Sequence, residues 1–269
     1  MPEIYGSRDY SPVEIAERVE TVGVAKAKLP ALSMIALGIL AGGFIGFGAL
    51  FYTIVASDPT LGFAAKRILG GSVFSLGLIL VVVAGAELFT GNNLMVMAWV
   101  SRKITLREIL RNFGIVYVAN LVGAAGLAGI VALSAHAEMN GGAIGTTAIE
   151  IASAKLGMGF QEAFFKGVLC NILVCLAVWL ALAGRHVVDK IAAIVFPVAA
   201  FVAAGFEHCV ANMYFVPLGI FLGGDDLSWL SFVRDNLLPV TLGNLAGGAG
   251  MVGLVYWIIY RRPAQDAQD

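Results

Sequence analysis

The chain has 269 residues, of which 59% are hydrophobic and only 13% are charged, and its net charge at pH 7 is −1. Soluble domains carry about 25% charged residues, so this chain has too little polar surface to coat a water-soluble globule, and its near-neutral charge does not suggest a nucleic-acid partner. These values predict an integral membrane protein.

Residues 1–28 are polar and precede the first long apolar segment. Ser11-Pro12-Val13-Glu14 has the form of a capping box with proline at the first helical position. Apolar residues then recur at helical spacing among charged ones, which predicts an amphipathic helix lying at the cytoplasmic membrane surface. A basic start and a small-residue cleavage site are both missing, so we do not expect a secretory signal peptide.

Six apolar segments follow, and about 20 helical residues suffice to cross roughly 30 Å of hydrocarbon. The segments cover residues 29–57, 68–100, 113–135, 163–184, 191–222 and 237–260. They predict an all-α membrane protein with a single transmembrane domain over 29–260 and a short cytoplasmic tail over 261–269. Cys170, Cys175 and Cys209 lie inside these apolar runs, which predicts buried free thiols rather than disulfides. Metal-ligand spacings such as CxxC are missing, so we expect no metal and no cofactor.

The second and fifth segments are too long for one straight crossing. Their 33 and 32 residues would each extend about 50 Å as continuous helices, at roughly 1.5 Å per residue. Each also has a polar, glycine-containing stretch in its middle, Glu87-Leu88-Phe89-Thr90-Gly91-Asn92-Asn93 in the second and Gly205-Phe206-Glu207-His208-Cys209 in the fifth. We therefore predict six transmembrane helices, of which the second and fifth are broken at the midplane.

Lysine and arginine are distributed unevenly between the two sides of this arrangement. Twelve of the 17 fall in the N-terminal segment, the second-to-third and fourth-to-fifth connections and the tail. Only Lys66, Arg67, Lys155 and Arg234 fall on the opposite side, with Lys166 at the mouth of the fourth span. The positive-inside rule then predicts that both termini are cytoplasmic, in a multi-pass protein of the inner membrane.

The two halves, about 29–138 and 160–260, repeat one spacing of polar residues. Gly85-x-Glu87-x4-Asn92 matches Gly205-x-Glu207-x4-Asn212, and Asn112-x3-Val116-x3-Asn120 matches Asn236-x3-Val240-x3-Asn244. Three spans per half make the second half inverted, so we predict an inverted 3+3 repeat. Broken helices at matching positions of such repeats indicate a permeation site at the midplane, because non-helical backbone there must be buried in protein or line a watery cavity.

Structural roles compete with functional ones at these positions. Asn92 and Asn212 are suited to cap the half-helices that follow the breaks, and Glu87 and Glu207 to hold the broken backbone in place. The glycines of the third and sixth spans fit close helix crossings. His208 is different, because an ionisable group at the centre of a broken span is a functional candidate by default.

Four segments in order carry a family resemblance. They are Phe74-Ser75-Leu76-Gly77-Leu78-Ile79, Glu87-Leu88-Phe89-Thr90-Gly91-Asn92, Leu169-Cys170-Asn171-Ile172-Leu173-Val174-Cys175-Leu176-Ala177-Val178-Trp179 and Gly205-Phe206-Glu207-His208-Cys209-Val210-Ala211-Asn212-Met213. From Pro12 to the end of the sixth span the chain resembles the formate/nitrite transporter family, and it is most similar to the bacterial formate channels. The segment that begins at Glu87 is more similar to the nitrite branch of the family.

The resemblance implies a homopentamer of aquaporin-like protomers without enzymatic activity, each with a pore for a small monovalent anion. By match to the family's motifs, the polar groups are His208, Thr90 and Asn171 at the centre, Glu207 as the carboxylate that orients them, and Lys155 near the outer mouth. The apolar constrictions are Phe74, Leu78, Leu88 and Phe201, and the broken-helix motifs contribute Glu87, Phe89, Asn92 and Asn212.

Elementary electrostatics favours a permeant that is neutralised on the way. Moving a bare anion into low dielectric costs of the order of 20 kcal/mol before relaxation, whereas protonating an acid of pKa about 3.7 at pH 7 costs about 4.5 kcal/mol. We therefore expect Lys155 to concentrate the anion, and His208 and Thr90 to donate hydrogen bonds, with His208 able to lend a proton. Phe74 and Phe201 would exclude hydrated and larger ions.

Formate is the permeant that we expect, with nitrite and hydrosulfide as alternatives within the family. Two remote alternatives belong to other classes. A neutral-solute channel of the aquaporin type is disfavoured because Asn-Pro-Ala is missing from the broken spans. A membrane enzyme using Glu207 and His208 as acid and base would need a nucleophile, and only Cys209 is near.

Overall fold

The computed structural model describes residues 9–262, and within that range every regular element is helical. In chain order we label the helices α1 Pro12–Ala27, α2 Ala31–Ala56, α3 Phe63–Gly85, α4 over 89–100, α5 Leu106–Leu133, α6 Ala143–Leu156, α7 Phe160–Ala183, α8 Val187–Ala204, α9 Cys209–Phe221 and α10 Trp229–Tyr260. Two short 3₁₀ turns, His136–Glu138 and Asn140–Gly142, connect α5 to α6.

Six of the helices, α2, α3, α5, α7, α8 and α10, are long and apolar enough to cross a membrane. Their outer surfaces expose large apolar side chains such as Leu133, Phe196 and Val188, which in water would be unfavourable over so wide an area. The predicted all-α protein with six apolar helices is confirmed.

The first turns of several membrane helices lie outside the apolar segments that predicted them, and α5 and α10 show why. Helix α5 begins at Leu106 rather than near 113, because Thr105 and Glu108 form a capping box. Helix α10 begins at Trp229 rather than 237, and the Ser228 hydroxyl accepts a hydrogen bond from the Ser231 amide there. Capping residues like these start a helix outside its predicted hydrophobic stretch, where hydropathy does not detect the start.

Helix α6 was not predicted at all. Its 14 residues are too short to span a bilayer, and the helix packs against α9 instead. Lys155 lies in its last turn. This lysine therefore belongs to a packed helix rather than to a loop.

Helix α1 begins with the predicted Ser11–Glu14 capping box, which is confirmed. The helix packs on α4, α7 and α10 through buried Ile15, Ala16 and Val19. The predicted N-terminal segment and tail continue beyond the described range, and residues 1–8 and 263–269 lie outside it.

Two short non-helical linkers coincide with the breaks predicted in the second and fifth apolar segments. The first linker, residues 86–88, joins α3 to α4, and the second linker, residues 205–208, joins α8 to α9. Gly85 and Gly205 have φ angles of 86° and 76°, in the left-handed region that favours glycine. After each linker the chain forms a short helix, and α4 packs on α10 while α9 packs on α5.

Close helix contacts depend on some of the predicted glycines but not on all of them. A Cβ at Gly123 would lie 1.9 Å from the Ile39 carbonyl oxygen, and one at Gly247 would lie 2.2 Å from the Val168 carbonyl oxygen. Gly126 and Gly250 have open space at the same point, so they make no close helix contact within the subunit. All three cysteines are buried and free, as predicted.

Candidate permeation site

Three cavities lie in a row through the helix bundle. The Lys155 cavity has a volume of about 350 Å³, the Lys26 cavity about 640 Å³, and the central chamber between them about 10 Å³. Phe74, Phe201 and His208 line both the Lys155 cavity and the chamber. Leu78 and Leu88 line both the chamber and the Lys26 cavity. Two apolar constrictions therefore separate two vestibules from one small space.

The central chamber is apolar except for one residue. Its lining is Ile45, Phe74, Leu78, Leu88, Val174, Val198, Phe201 and His208. The rings of Phe74 and Phe201 meet edge to face with centroids 5.9 Å apart, and the Phe201 ring stacks on His208 at 6.0 Å. A space of this volume holds about one water molecule. An anion with its hydration shell does not fit.

Both nitrogens of the buried His208 ring are engaged. The Nδ1 atom accepts a hydrogen bond of 3.0 Å from the Ala211 amide at the start of α9, and Nε2 lies 2.9 Å from the Thr90 Oγ1 atom. A backbone amide only donates, so Nδ1 has no proton in this geometry and the single proton of a neutral ring is on Nε2. The ring therefore donates to the Thr90 oxygen.

Thr90 is fully buried and has a hydroxyl proton to donate. If its oxygen accepts from His208, its own O–H has no acceptor among residues 9–262, because the His208 contact is the only hydrogen bond that this hydroxyl makes there. Thr90 does not line the chamber, and its hydroxyl is linked to it only through the His208 ring. Histidine thus supplies the polar group of the wall, and threonine fixes the ring.

A buried polar cluster holds the second linker. Lys155 Nζ donates to both carboxylate oxygens of Glu207 at 2.9 Å, and Asn212 Nδ2 donates to Glu207 Oε2 at 2.7 Å. Asn212 also donates to Asn236 Oδ1, and Asn236 donates back to the Lys155 carbonyl at 3.1 Å. The charge of Lys155 is consequently compensated within the protein.

A second cluster of the same composition holds the first linker. Lys26 Nζ donates to Glu87 Oε1 at 2.6 Å and to Asn92 Oδ1 at 2.9 Å. Asn92 Nδ2 donates to Glu87 Oε2 and to Asn112 Oδ1. Lys26 comes from the terminal helix α1 and lines the Lys26 cavity.

Two further asparagines fix the linker backbones. Asn120 accepts from the Phe89 amide and donates to the carbonyls of Glu87 and Gly38. Asn244 accepts from the Cys209 amide and donates to the carbonyls of Glu207 and Gly167. Backbone groups left free by a break in the helix are thereby satisfied by side chains of α5 and α10.

Besides Thr90, the structure places two predicted residues away from the three cavities. Asn171 on α7 donates to the Asn244 carbonyl at 2.7 Å and lies within 3.3 Å of the Thr90 carbonyl. Phe89 packs its ring edge to face on Phe113 and Tyr117. Neither residue lines any of the three cavities.

The predicted capping role of Asn92 and Asn212 is wrong. The N-cap positions of the helices that follow the linkers are Leu88 and His208. The asparagines lie within the helices, where their amides bind the glutamate carboxylates. Those carboxylates in turn bind side chains, not the linker amides that we had expected them to hold.

Sequence reasoning missed Lys26, and it did not assign a role to Asn112, Asn120, Asn236 and Asn244. The asparagines had a signal, since their spacing is part of the repeated pattern. Lys26 had none, because it lies 61 residues from Glu87 in a segment without matching sequence in the other half. Among residues 9–262, no group of three or more His, Cys, Asp or Glu side chains is placed to hold a metal ion.

Comparisons with known proteins agree with this arrangement. Residues 13–258 match the family model described as formate/nitrite transporter, and the chain belongs to that family. It is 40% identical to the formate channel FocA of Escherichia coli (strain K12), over 93% of this chain and 94% of that protein. It is 43% identical to the transporter YrhG of Bacillus subtilis (strain 168), over 96% of each chain.

A solved structure is similar over most of its length. The pentameric formate channel with formate bound is 41% identical in sequence and superposes with a TM-score of 0.80. The superposition covers 86% of this chain and 97% of that chain. Family and helices together define a multi-pass membrane transport protein.

Proposed function

We propose that the chain conducts formate through a pore in each subunit, from the Lys155 cavity through the central chamber to the Lys26 cavity. The row of three cavities with shared lining residues is the observation that carries the proposal. The similar solved channel holds formate, which favours formate over nitrite and hydrosulfide as the permeant. That channel is also pentameric, and we infer a homopentamer here.

We further infer that the two halves form an inverted repeat, with the linkers as breaks at the membrane midplane. The matching clusters at Glu87 and Glu207 support this, as do the matching contacts of Asn120 and Asn244. The uneven distribution of lysine and arginine supports a cytoplasmic Lys26 cavity and cytoplasmic termini in an inner membrane.

The permeant crosses the chamber as the neutral acid. The ring pair Phe74–Phe201 and the leucine pair Leu78–Leu88 offer no charge to a bare anion, whose transfer into low dielectric costs of the order of 20 kcal/mol before relaxation. Protonation of a carboxylic acid with pKa about 3.7 costs only about 4.5 kcal/mol at pH 7. The proton comes from vestibule water, because the geometry of His208 gives its ring no second proton to lend.

The polar pair at the centre orients the permeant and does not move charge. Thr90 accepts a hydrogen bond from His208 Nε2 and fixes the orientation of this ring, which is the one polar group in the chamber wall. Asn171 positions Thr90 through its carbonyl. Asn244 fixes the backbone carbonyl before His208, and Lys155 neutralises the Glu207 carboxylate.

Uptake into proteoliposomes tests the proposal. Purified protein is reconstituted, and the initial uptake of formate, nitrite and hydrosulfide is measured at a neutral and at a more acidic pH, with water permeability measured in parallel. We expect formate uptake well above that of empty liposomes, and faster at the acidic pH. Uptake of water without any anion would support the neutral-solute channel, and nitrite or hydrosulfide uptake without formate would identify a different permeant.

A further inference from the structure

The Lys155 cavity contains one positive charge that no carboxylate neutralises. Three cations line it, Arg67, Lys155 and Lys166, together with the carboxylates Glu162 and Glu207. Lys155 is paired with Glu207 and Lys166 with Glu162. In the part of the chain from 9 to 262, no carboxylate lies within ion-pair distance of Arg67. The unpaired charge of the cavity is therefore that of Arg67.

The Arg67 guanidinium is fixed by contacts that leave its outer nitrogens open. Its Nε donates to the Ala203 carbonyl in the last turn of α8 at 2.7 Å, and its Cζ lies 5.9 Å from the centre of the Phe63 ring. Among residues 9–262 the guanidinium makes no other hydrogen bond. A Cβ at Gly205 would lie 2.6 Å from Nη2, so glycine at that position leaves the room that the guanidinium occupies.

The Lys26 cavity differs in this respect. Its charged lining residues, within the described range, are Lys26 and Glu87, and these two form an ion pair at 2.6 Å. That cavity therefore has no surplus charge. An anion approaching the two ends of the pathway meets different electrostatic conditions.

We propose that Arg67 is the anion-binding group of the Lys155 cavity, where its two Nη atoms hold a small carboxylate before the anion reaches Phe74 and Phe201. The proposal rests on the proposed function, since it takes the cavity as a vestibule of the pore. A planar guanidinium offers parallel donors that match the two oxygens of a carboxylate. Lys155 is less suited to bind the anion, because its ammonium group already donates to both carboxylate oxygens of Glu207.

Binding of this kind affects occupancy of the vestibule more than passage through the constriction. Partly exposed ion pairs are worth up to about 1 kcal/mol, so removing the guanidinium should raise the half-saturating formate concentration about threefold to fivefold. The maximal rate is set by the chamber and should stay nearly unchanged. Because the site is open to water, its effect should weaken as salt is added.

The experiment compares Arg67→Gln and Arg67→Lys with the control Lys66→Gln, which removes the neighbouring charge outside the cavity lining. Initial uptake of labelled formate is measured against concentration, at low and high ionic strength, in proteoliposomes of known protein orientation with formate added on the Arg67 side. We expect Arg67→Gln to raise the half-saturating concentration and flatten the salt dependence. Arg67→Lys should keep the salt dependence at an intermediate half-saturating concentration, and Lys66→Gln should behave as wild type.

Three results would overturn the assignment. The first is an unchanged half-saturating concentration in Arg67→Gln, and the second is an equal rise of that concentration in Lys66→Gln. The third is a fall in the maximal rate of Arg67→Gln alone, which would indicate a structural role at the end of α8. If Arg67→Gln does not assemble, Arg67→Lys provides the comparison. A wild-type protein that takes up no formate contradicts the proposed function instead. The variants are then compared with nitrite, which also presents two oxygens to the guanidinium.

Discussion

The first linker, 86–88, and the second linker, 205–208, are held by matching contacts and differ in the residue that follows the glutamate. Each carboxylate, of Glu87 and of Glu207, binds one lysine and one asparagine. Each glutamate carbonyl accepts from an asparagine of a neighbouring long helix. The next residue is Leu88 in the first linker and His208 in the second.

The difference separates the contacts that support both linkers from the polar residue of the chamber. At the repeat offset of 120 residues, Leu88 corresponds to His208 and Thr90 corresponds to Val210. The only hydrogen bond between the two linker regions at the chamber joins the two unmatched polar residues, Thr90 and His208. Matching residues hold the backbone of both breaks, and Glu87, Asn92, Glu207 and Asn212 among them also line the two outer cavities. The unmatched pair supplies the polar group of the chamber, His208, and its hydrogen-bond partner.

The largest effect should come from removing a matched carboxylate. We expect Glu207→Ala to destabilise the protein by about 3–5 kcal/mol, because it leaves the buried Lys155 without its counter-charge. Glu87→Ala should cost less, since the side chain of Lys26 is 23% exposed against 14% for Lys155. Thermal unfolding and size-exclusion chromatography of detergent-purified protein measure the stability and assembly of both variants. Equal melting of Glu207→Ala and wild type would contradict the structural role of the cluster.

Copying the first linker into the second should abolish transport without unfolding the protein. His208→Leu gives both linkers the same residue, and we expect at least a tenfold loss of formate flux, about 1.4 kcal/mol or more in barrier, with normal assembly. His208→Phe should behave likewise, because it keeps the ring and removes both nitrogens. Normal formate flux in either variant would show that His208 is only structural.

His208→Asn distinguishes a hydrogen-bonding role from proton transfer. Asparagine donates a hydrogen bond but does not take up a proton. From the geometry at Nδ1 we expect this variant to recover part of the flux with the pH dependence of wild type. Flux that loses its pH dependence only in the asparagine variant would instead favour a proton lent by the imidazole.

Thr90→Val introduces the residue found at the matching position 210 and removes the hydrogen bond to His208 with little change in side-chain volume. A lost hydrogen bond of about 1 kcal/mol corresponds to roughly fivefold in rate, so we expect formate flux to fall about fivefold. Thr90→Ser keeps the hydroxyl and should retain most of the flux, and Val210→Thr is the matched control on the other linker. Equal flux in Thr90→Val and Thr90→Ser would rule out a role for the hydrogen bond between this hydroxyl and His208.

These contrasts also show what the sequence can predict. The six helices follow from hydrophobic length, and His208 stands out because an ionisable residue is rare in an apolar run. The sequence does not reveal that Glu87 binds Lys26, because that contact joins the terminal helix to the first linker without a local pattern. Sequence reasoning also misassigned Asn92 and Asn212. Asparagine can either cap a helix or bind a carboxylate, and only the position at which the helix starts distinguishes the two roles.

The two clusters differ finally in where their lysine comes from, and this leads to a prediction about the local stability of α1. Lys155 belongs to α6 inside the bundle, whereas Lys26 belongs to α1, which must stay docked for the first cluster to form. Glu20, fully buried on α1, binds Lys103, Ser101 and Arg261. Burial alone would raise the pKa of the Glu20 carboxyl, but the hydrogen bonds from Lys103, Ser101 and Arg261 outweigh it and hold the pKa below its ordinary value.

The sign of the pH effect follows from that direction. A carboxyl whose pKa is lowered by folding stabilises the docked helix above its ordinary pKa, about 4.5, and loses this contribution as the pH falls through the lowered value. We expect hydrogen exchange of the α1 amides, corrected for intrinsic rates, to accelerate below about pH 4.5 in wild type. Glu20→Gln should accelerate it already at neutral pH, by about 2 kcal/mol in opening free energy, and should remove most of the pH dependence.

Glu17→Gln is the matched control for Glu20→Gln. Glu17 lies on the same helix and also pairs with Arg261, at 2.9 Å, but its side chain is 57% exposed, so solvent already screens that pair. Its exchange profile should follow wild type at every pH, while Lys155 and the second linker should be unaffected by either variant. Faster exchange around Glu207 in Glu20→Gln would mean that the two clusters are coupled through the bundle. Exchange of α1 that is as slow in Glu20→Gln as in Glu17→Gln would mean that apolar packing through Ile15 and Val19 is enough to hold the helix.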